Sequence, residues 1–160
     1  PKTGFEMTLG DILDAQAVRV LSGVSSKKRL LQDISDQSAD VYGLDRDEIF
    51  VALQDRETLG STGVGRGVAI PHARFESLDK VVGLFTRLEK PVDFEAVDNQ
   101  PIDLVFTLLA PKAEGAEHLK ALALVSRTLR DEKTCSALRA NATNASIYAL
   151  LTEVTQNRAA

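Results

Sequence analysis

The sequence is poor in cysteine, in histidine and in long apolar runs, and each shortage excludes a class of protein. Cys135 is the single cysteine among 160 residues, so no internal disulfide can form and a reducing cytoplasm is the expected location. No apolar run is long enough to cross a bilayer and no signal peptide is recognised, so we expect no membrane insertion. The two histidines, His72 and His118, lack acidic partners at ligand spacing. A two-histidine metal site is therefore a weak alternative, and we expect no metal and no cofactor.

An excess of positive charge is also absent. The chain has 19 basic and 23 acidic side chains, a net charge of −4, which argues against a nucleic-acid partner. The one short basic patch, residues 27–29, is expected to face solvent on a helix. Apolar residues make up 44% and charged residues 26% of the chain, as in an ordinary globular domain with its own core.

Hydrophobic periodicity predicts strands interleaved with helices and no internal repeat or linker. Residues 102–110 are almost continuously apolar, which is typical of a central strand covered on both faces. Alternation of this kind around a buried strand predicts an α/β sandwich. The predicted elements are a short helix at 7–15, a weak strand at 18–21, helices at 26–43 and 45–56, strands at 81–88 and 102–110, and helices at 114–130, 134–140 and 144–154.

A glycine-rich segment, residues 60–67, leads to the first histidine. Its four glycines permit backbone conformations that other residues avoid and allow a ligand to approach the peptide units. Pro71 fixes its own φ and holds the preceding residue extended, so His72 lies on a stiff segment after a flexible one. A histidine in such a position is a candidate for chemistry near neutral pH.

Two further side chains are predicted to face inward near the ends of their helices. Arg56 follows Ile49 and Leu53 at helical spacing, which places it on the apolar face just before the glycine-rich segment. His118 falls in the first turn of its helix on the inward face. If His72, His118 and Arg56 converge, they suit a phosphoryl group, because neutral imidazole is a nucleophile and a guanidinium binds phosphate oxygens. Loop amides and a helix N-terminus would add partial positive charge.

Each feature also has a simpler interpretation. The glycines can serve turns alone, and without a GKS or GKT ending the segment is not a nucleotide-binding P-loop. His72 can be a structural histidine, His118 an ordinary residue of a helix start, and Arg56 a partner for the helix dipole. Ser61 and Ser77 show no nucleophile-elbow pattern, which excludes a hydrolase triad.

The stretch RETLGSTGVGRGVAIPH, residues 56–72, closely resembles the phosphohistidine signature of the fructose/mannitol-type enzyme IIA of the bacterial phosphoenolpyruvate-dependent sugar phosphotransferase system. DNQPIDLVF at 98–106 and HLKAL at 118–122 fit the same family. The likeness extends from about Met7 to the last helix, so we expect a single enzyme IIA type-2 domain at 7–156 after an N-terminal tail at 1–6. Within the family the chain looks most like the stand-alone nitrogen-regulatory branch.

The resemblance implies a role for each candidate residue. His72 would be the phosphoryl acceptor, with Nε2 as the expected atom, His118 the second active-site histidine and Arg56 the phosphate-stabilising arginine. It also implies an α/β sandwich with a mixed sheet of about five strands and helices on both faces. The residues of the glycine-rich segment expected to bind phosphate are Ser61, Thr62, Gly63, Gly65 and Gly67.

The implied partners are proteins. The donor would be the phosphorylated histidine of a small HPr-like carrier, which we expect to dock on an apolar rim formed by Val64, Val68 and Ile70. The output would be a regulatory target, since no IIB or membrane IIC segment is recognised in the chain. Two alternatives stay open: a sugar-specific enzyme IIA that passes phosphate to a separate IIB, and a regulatory docking module without essential phosphorylation.

The sequence departs from the family pattern directly after the active histidine. The family usually has glycine and lysine there, whereas this chain has Ala73 and Arg74. The basic charge is kept, but a positive φ at residue 73 would be unfavourable, so we expect a local backbone change. Arg66, in the glycine-rich segment, often corresponds to a small polar residue and is a candidate for carrier recognition.

Overall fold

The computed structural model describes residues 6–113 and 115–159, with side-chain surroundings as far as Glu153. Most of the predicted tail, residues 1–5, lies outside the described residues. The elements are a 3₁₀ turn at Leu9–Asp11, β1 (Leu13–Leu21), α1 (Lys27–Tyr42), α2 (Arg46–Thr58), β2 (Gly63–Gly65), β3 (Val68–Ala69), β4 (His72–Phe75), β5 (Val82–Val92), β6 (Ile102–Pro111), α3 (Gly115–Arg130), α4 (Glu132–Ala140) and α5 (Asn144–Ala159).

The strands of the described residues form one mixed sheet. Its order is β1-β5-β6-β3-β2, and β4 also pairs with β6. The pairs β1–β5, β3–β6 and β4–β6 are parallel, whereas β5–β6 and β2–β3 are antiparallel. Helices α1 and α2 pack together and contact β1, β4 and β5, while α3, α4 and α5 form a second group that contacts β6 and β1. The predicted α/β sandwich with a mixed sheet is confirmed.

The sheet has six strands because the glycine-rich segment is itself a small hairpin. Arg66 and Gly67 have φ values of 55° and 79°, the left-handed pair that a tight type I′ turn requires. The turn joins β2 to β3, with Gly65 paired to Val68. Sequence periodicity cannot show strands this short, which explains the difference from about five.

Strand β6 is the centre of the sheet, as predicted. It lies between β5 on one side and β3 and β4 on the other. Nine of its ten residues are buried, and Asp103 is the exception. A strand hydrogen-bonded on both sides and covered on both faces is expected to be almost continuously apolar, and its sequence is.

The helix ends follow local sequence signals. The Ser26 hydroxyl accepts a hydrogen bond from the Arg29 N–H at the start of α1, and Gly43 ends that helix with φ 69°. Asp45 caps α2 by accepting from the N–H groups of Asp47 and Glu48. The Asp45 cap sets the start of α2, and Arg56 lies in the last turn of that helix.

The predicted helix at 7–15 is wrong. Only one 3₁₀ turn forms, closed by a 2.8 Å hydrogen bond from the Thr8 N–H to the Asp11 carboxylate. Strand β1 then begins at Leu13, which pairs with Gly83 of β5. The apolar residues that suggested a helix are buried through a turn followed by a strand. Strand β5 also runs four residues beyond the predicted 81–88, to Val92.

Candidate functional site

The site lies where one strand and two helices meet. Strand β4 begins at His72, which pairs with Leu108 of the central strand. The preceding residue, Pro71, accepts a 2.9 Å hydrogen bond from the Leu108 N–H through its carbonyl. The last turn of α2 packs beside β4, and the first turn of α3 carries the second histidine. Segments distant in the sequence therefore supply one site.

His72 is half-buried, and one of its two ring nitrogens contacts the backbone. Its Nδ1 lies 2.9 Å from the carbonyl oxygen of Ile70. A carbonyl only accepts hydrogen bonds, so Nδ1 carries the proton in the neutral ring and Nε2 keeps its lone pair. This is the protonation pattern of a histidine that attacks through Nε2.

His118 has the opposite pattern. It is 4% exposed, in the first turn of α3, and its Nδ1 accepts a 3.0 Å hydrogen bond from Nε of Arg74. A guanidinium only donates, so the proton of the neutral His118 ring is on Nε2. Among the described residues, this buried Nε2 has no hydrogen-bond partner in the protein. A buried N–H without a partner is costly and suits a ligand that accepts from it.

The two imidazoles are neighbours and both favour the neutral form. Their ring centroids lie 5.6 Å apart with an interplanar angle of 68°. Burial lowers the pKa of His72, and the charges of Arg56 and Arg74 lower it further, against an opposing effect of the bond to Ile70. Burial, with His72 and Arg74 beside it, lowers the pKa of His118 to about 4. Both rings are therefore neutral at neutral pH.

Arg56 lies close enough to His72 to act on it electrostatically, as the resemblance implied. It lies in the last turn of α2, half-buried, and its Nη1 donates a 2.8 Å hydrogen bond to the Gly60 carbonyl. Its charge acts on His72 strongly enough to lower that pKa. The structure thus brings together all three residues that sequence reasoning singled out.

Ser61 and Thr62, at the start of the glycine-rich segment, form their hydrogen bonds within the protein. The Ser61 hydroxyl donates to the Phe94 carbonyl and accepts from the Gly63 N–H. The N–H and hydroxyl of Thr62 both donate to the Glu57 carboxylate. Their predicted contact with phosphate stays a prediction.

The glycines at the tip of the β2–β3 hairpin have other neighbours. A Cβ added at Gly65 would contact Asp98, and one at Gly67 would meet Asp103 and Arg139. The structure gives these two glycines a role in forming the turn, and their predicted role in binding phosphate stays a prediction as well.

The predicted apolar rim is only partly correct. Val64 is 53% exposed, but Val68 and Ile70 are 2% and 3% exposed. Val68 lies in β3, which pairs with the central strand, Ile70 follows directly after β3, and both side chains belong to the hydrophobic core. Two other exposed apolar side chains are close to site residues in the sequence: Leu59, 84% exposed just after α2, and Leu119, 66% exposed and next to His118 in α3.

Sequence reasoning missed two charged residues that support the site. Arg74 contacts His118 directly, although only its departure from the family pattern singled it out.

Glu57 has a buried side chain whose carboxylate lies 2.9 Å from Lys27 Nζ. Lys27 was expected to face solvent, but its ammonium is 4.5 Å from the Phe94 ring centroid and its side chain is only 16% exposed. Helical spacing alone does not show that the start of α1 lies against the end of α2.

Two other expectations have structural outcomes. Ala73 lies within β4, and among the described residues other than glycine a positive φ occurs only at Arg66, Glu95 and Asn99. Alanine therefore fits residue 73 without backbone strain.

Arg66, the candidate for carrier recognition, points to the junction of α3 and α4. Its Nη2 lies 3.2 Å from the Arg130 carbonyl and its Nη1 3.5 Å from Glu132.

The described part of the chain holds neither a cluster of metal ligands nor a membrane-spanning helix. No group of three or more histidine, cysteine, aspartate and glutamate side chains there could hold a metal ion. Across residues 6–113 and 115–159, no helix has the length and apolar character needed to span a bilayer.

The fold agrees with the match to known proteins. Residues 11–154 match the family described as "Phosphoenolpyruvate-dependent sugar phosphotransferase system, EIIA 2". The chain belongs to this family of phosphotransferase-system components. Among its relatives is a "Nitrogen regulatory protein" of Bradyrhizobium diazoefficiens, 46% identical over 145 residues that cover 91% of this chain and 95% of the relative.

Other relatives support the same placement. The crystal structure of the nitrogen regulatory protein IIA-Ntr from Neisseria meningitidis superposes with a TM-score of 0.83 at 35% identity, covering 90% of this chain and 99% of that one. A "PTS system fructose-specific EIIA component" of Haloferax volcanii is 31% identical over 153 residues, which cover 91% of this chain and 99% of the relative. The chain is thus similar both to nitrogen-regulatory and to sugar-specific members.

Proposed function

We propose that the protein is a phosphohistidine carrier in a nitrogen-regulatory phosphotransferase relay. In this proposal Nε2 of His72 accepts a phosphoryl group from the phosphorylated histidine of an HPr-like carrier protein and passes it on. The single observation that carries the proposal is the different hydrogen bonding of two adjacent rings. His72 Nδ1 faces a carbonyl and His118 Nδ1 faces a guanidinium, while His118 Nε2 has no hydrogen-bond partner among the described residues. These partners imply a lone pair on Nε2 of His72 and a proton on Nε2 of His118. The nitrogen-regulatory setting rests on the 46% identical relative.

Transfer breaks one nitrogen–phosphorus bond and forms another. The Nε2 lone pair of His72 attacks the phosphorus, and the donor imidazole leaves with the electron pair of its own nitrogen–phosphorus bond. Positive charge then develops on the His72 ring, where the Nδ1–H bond to the Ile70 carbonyl stabilises it. The lowered pKa of His72 keeps the attacking ring neutral before transfer.

The phosphoryl oxygens require positive groups that are already in position. The Nε2–H of His118 is free to donate to one of these oxygens. Arg56 supplies a guanidinium on the α2 side, and the first turn of α3 adds the partial positive charge of a helix N-terminus. Nothing in this step requires a metal ligand or a cofactor from the chain.

The test is phosphorylation by phosphoenolpyruvate, enzyme I and an HPr-like carrier, measured by intact mass and acid lability. Wild type should gain one acid-labile phosphate and His72→Ala none. The matched control is His118→Ala, which also removes a histidine and should still accept phosphate, more slowly. Phosphate that persists on His72→Ala would contradict the assignment of the acceptor.

A failure of wild type to accept phosphate from an active carrier would favour the docking-module alternative. Binding of unmodified protein to regulatory targets would then be the function to measure.

A sugar-specific role is the second candidate, favoured by the 31% identical fructose-specific relative. The phosphorylated protein would then transfer its phosphate to an isolated IIB domain. Loss of the phosphate from the protein together with its appearance on IIB would support this role over the regulatory one.

A further inference from the structure

Strand β4 contains both His72, the proposed acceptor, and Arg74, which donates a hydrogen bond to His118. Side chains two residues apart in a strand point to the same face, so His72 and Arg74 share the face on which the site lies. Nε of Arg74 reaches Nδ1 of His118 at 3.0 Å, across 44 residues of sequence. One short strand thus determines where the acceptor lies and how the neighbouring ring is held.

We propose that Arg74 is a positioning residue for phosphoryl transfer, which orients His118 with its proton on Nε2 and its Nε2–H available to a phosphoryl group on His72. The proposal rests on the phosphocarrier function proposed above. Arg74 acts through His118, which is why it is a positioning residue and not a catalytic one.

The chemistry of the guanidinium supports this role. Arginine stays protonated and only donates, so it permits one protonation pattern of a neutral imidazole at Nδ1, whereas a hydroxyl or an amide would permit both. Without Arg74 the buried ring could turn or exchange its tautomer. The free donor that suits the phosphoryl group would then be present only part of the time.

The position of the guanidinium also restrains the start of α3. A Cβ at Gly115, the first residue of the helix, would lie 3.8 Å from both Nη1 and Nη2 of Arg74. The guanidinium therefore packs over the first helical turn while its Nε holds His118 in that same turn. The Arg74 side chain thus bridges β4 and the first turn of α3.

The first experiment is ¹⁵N NMR of the imidazole nitrogens at neutral pH in wild type, Arg74→Leu and Arg74→Lys. In wild type we expect a single His118 tautomer with the proton on Nε2 and the Nδ1 shift of a hydrogen-bond acceptor. Arg74→Leu should move the Nδ1 shift toward an average of both tautomers, and Arg74→Lys should restore most of the wild-type shift. A proton on Nδ1 in wild type, or an Nδ1 shift unchanged by Arg74→Leu, overturns the proposal.

The second experiment is a double-mutant cycle on the rate of phosphoryl transfer from the phosphorylated HPr-like carrier. Arg74→Leu should lower kcat about tenfold, the effect of losing one charge-assisted hydrogen bond, with KM for the carrier unchanged. In the His118→Ala background the same substitution should change kcat less than about twofold. Arg127→Leu, an exposed arginine on α3, is the matched control and should leave kcat unchanged.

Each other outcome has a defined meaning. A raised KM at unchanged kcat would show that Arg74 only binds the donor, and an equal loss of kcat without His118 would show direct action on the phosphoryl group. Either result refutes a positioning role. If wild type accepts no phosphate, the proposed function fails by itself, and the NMR shifts still decide whether Arg74 holds His118.

Discussion

The carboxylate of Glu57 accepts hydrogen bonds from both the backbone N–H and the hydroxyl of Thr62, where the chain leaves α2 for the glycine-rich segment. From there the connection to the site is short. The Thr62 carbonyl accepts a 3.0 Å bond from the Ile70 N–H, and the Ile70 carbonyl accepts from His72 Nδ1. A buried carboxylate at the end of a helix thus supports the backbone that holds the proposed acceptor.

Replacement of this carboxylate is predicted to destabilise the protein. Glu57→Gln leaves the largely buried Lys27 ammonium without its 2.9 Å counter-ion and weakens both bonds to Thr62. We expect a loss of about 3 kcal/mol in the free energy of unfolding, measured by urea denaturation.

The matched control is Glu95→Gln, because Glu95 contacts the same lysine at 3.6 Å but has a side chain that is 77% exposed. It should change stability by less than about 0.5 kcal/mol. Equal effects of the two substitutions would contradict the role assigned to the buried carboxylate.

A second prediction concerns pH. The pKa of His118 falls from 6.5 to about 4 on folding, so between these values the unfolded chain binds a proton that the native site does not. The stabilising contribution is therefore complete above pH 6.5 and is lost as the pH falls towards 4. His72 acts in the same direction, because its pKa is also lowered.

Urea denaturation at a series of pH values between 7.5 and 4 measures this effect. Since carboxylates also titrate at the lower end, the informative quantity is the difference between wild type and His118→Gln. The free energy of unfolding of His118→Gln should fall less than that of wild type over this range. If the two free energies fall in parallel with pH, the lowered pKa of His118 is ruled out.

A third prediction concerns Arg56. Its charge lowers the pKa of His72, so Arg56→Gln should raise that pKa, measured by NMR titration of the ring. The same substitution should slow phosphoryl transfer about tenfold or more while leaving the far-UV circular dichroism unchanged. Arg46→Gln, at the other end of α2, should alter neither the pKa of His72 nor the rate of phosphoryl transfer. Loss of the folded signal in Arg56→Gln would instead indicate a structural role.

A fourth prediction separates turn geometry from packing in the β2–β3 hairpin. Gly67 and Gly43 both have left-handed φ values, 79° and 69°, but only Gly67 is crowded. An added Cβ would lie 2.6 Å from Arg139 Nη2 and 2.9 Å from Asp103 Oδ1 at Gly67, with nothing within 4 Å at Gly43.

Gly43→Ala should therefore cost about 1 kcal/mol of stability from φ alone, and Gly67→Ala should cost more. Urea denaturation compares the two variants directly. An equal loss in the two variants would show that the Asp103–Arg139 pair moves aside without cost.

Sequence signals with a local cause predicted the corresponding structure well. Ser26 and Gly43 mark the ends of α1 because capping depends on neighbouring backbone groups. The inward position of His118 followed from helical spacing, and the central position of β6 from its unbroken apolar run. The convergence of His72, His118 and Arg56 was only a condition in the interpretation of the residues, and the resemblance to enzyme IIA is what implied it.

Features that depend on contacts between distant segments were not predicted. Lys27 seemed exposed because nothing in α1 alone indicates the buried Glu57 of α2. Arg74 was noted only as a departure, since its partner is 44 residues away and lies on another element. Val68 and Ile70 were expected on the surface because the pairing of β3 with β6 cannot be read from two residues of strand. Tertiary pairing decided each of these positions.

The two imidazoles of the site are the same chemical group, and what lies behind each ring makes them different. A backbone oxygen behind His72 draws a proton to its inner nitrogen, whereas a guanidinium behind His118 keeps a proton away from the equivalent atom. One ring therefore offers an electron pair and the other an N–H donor, although the two side chains are of the same type. An exchange of the two backing groups would exchange the nucleophile and the hydrogen-bond donor.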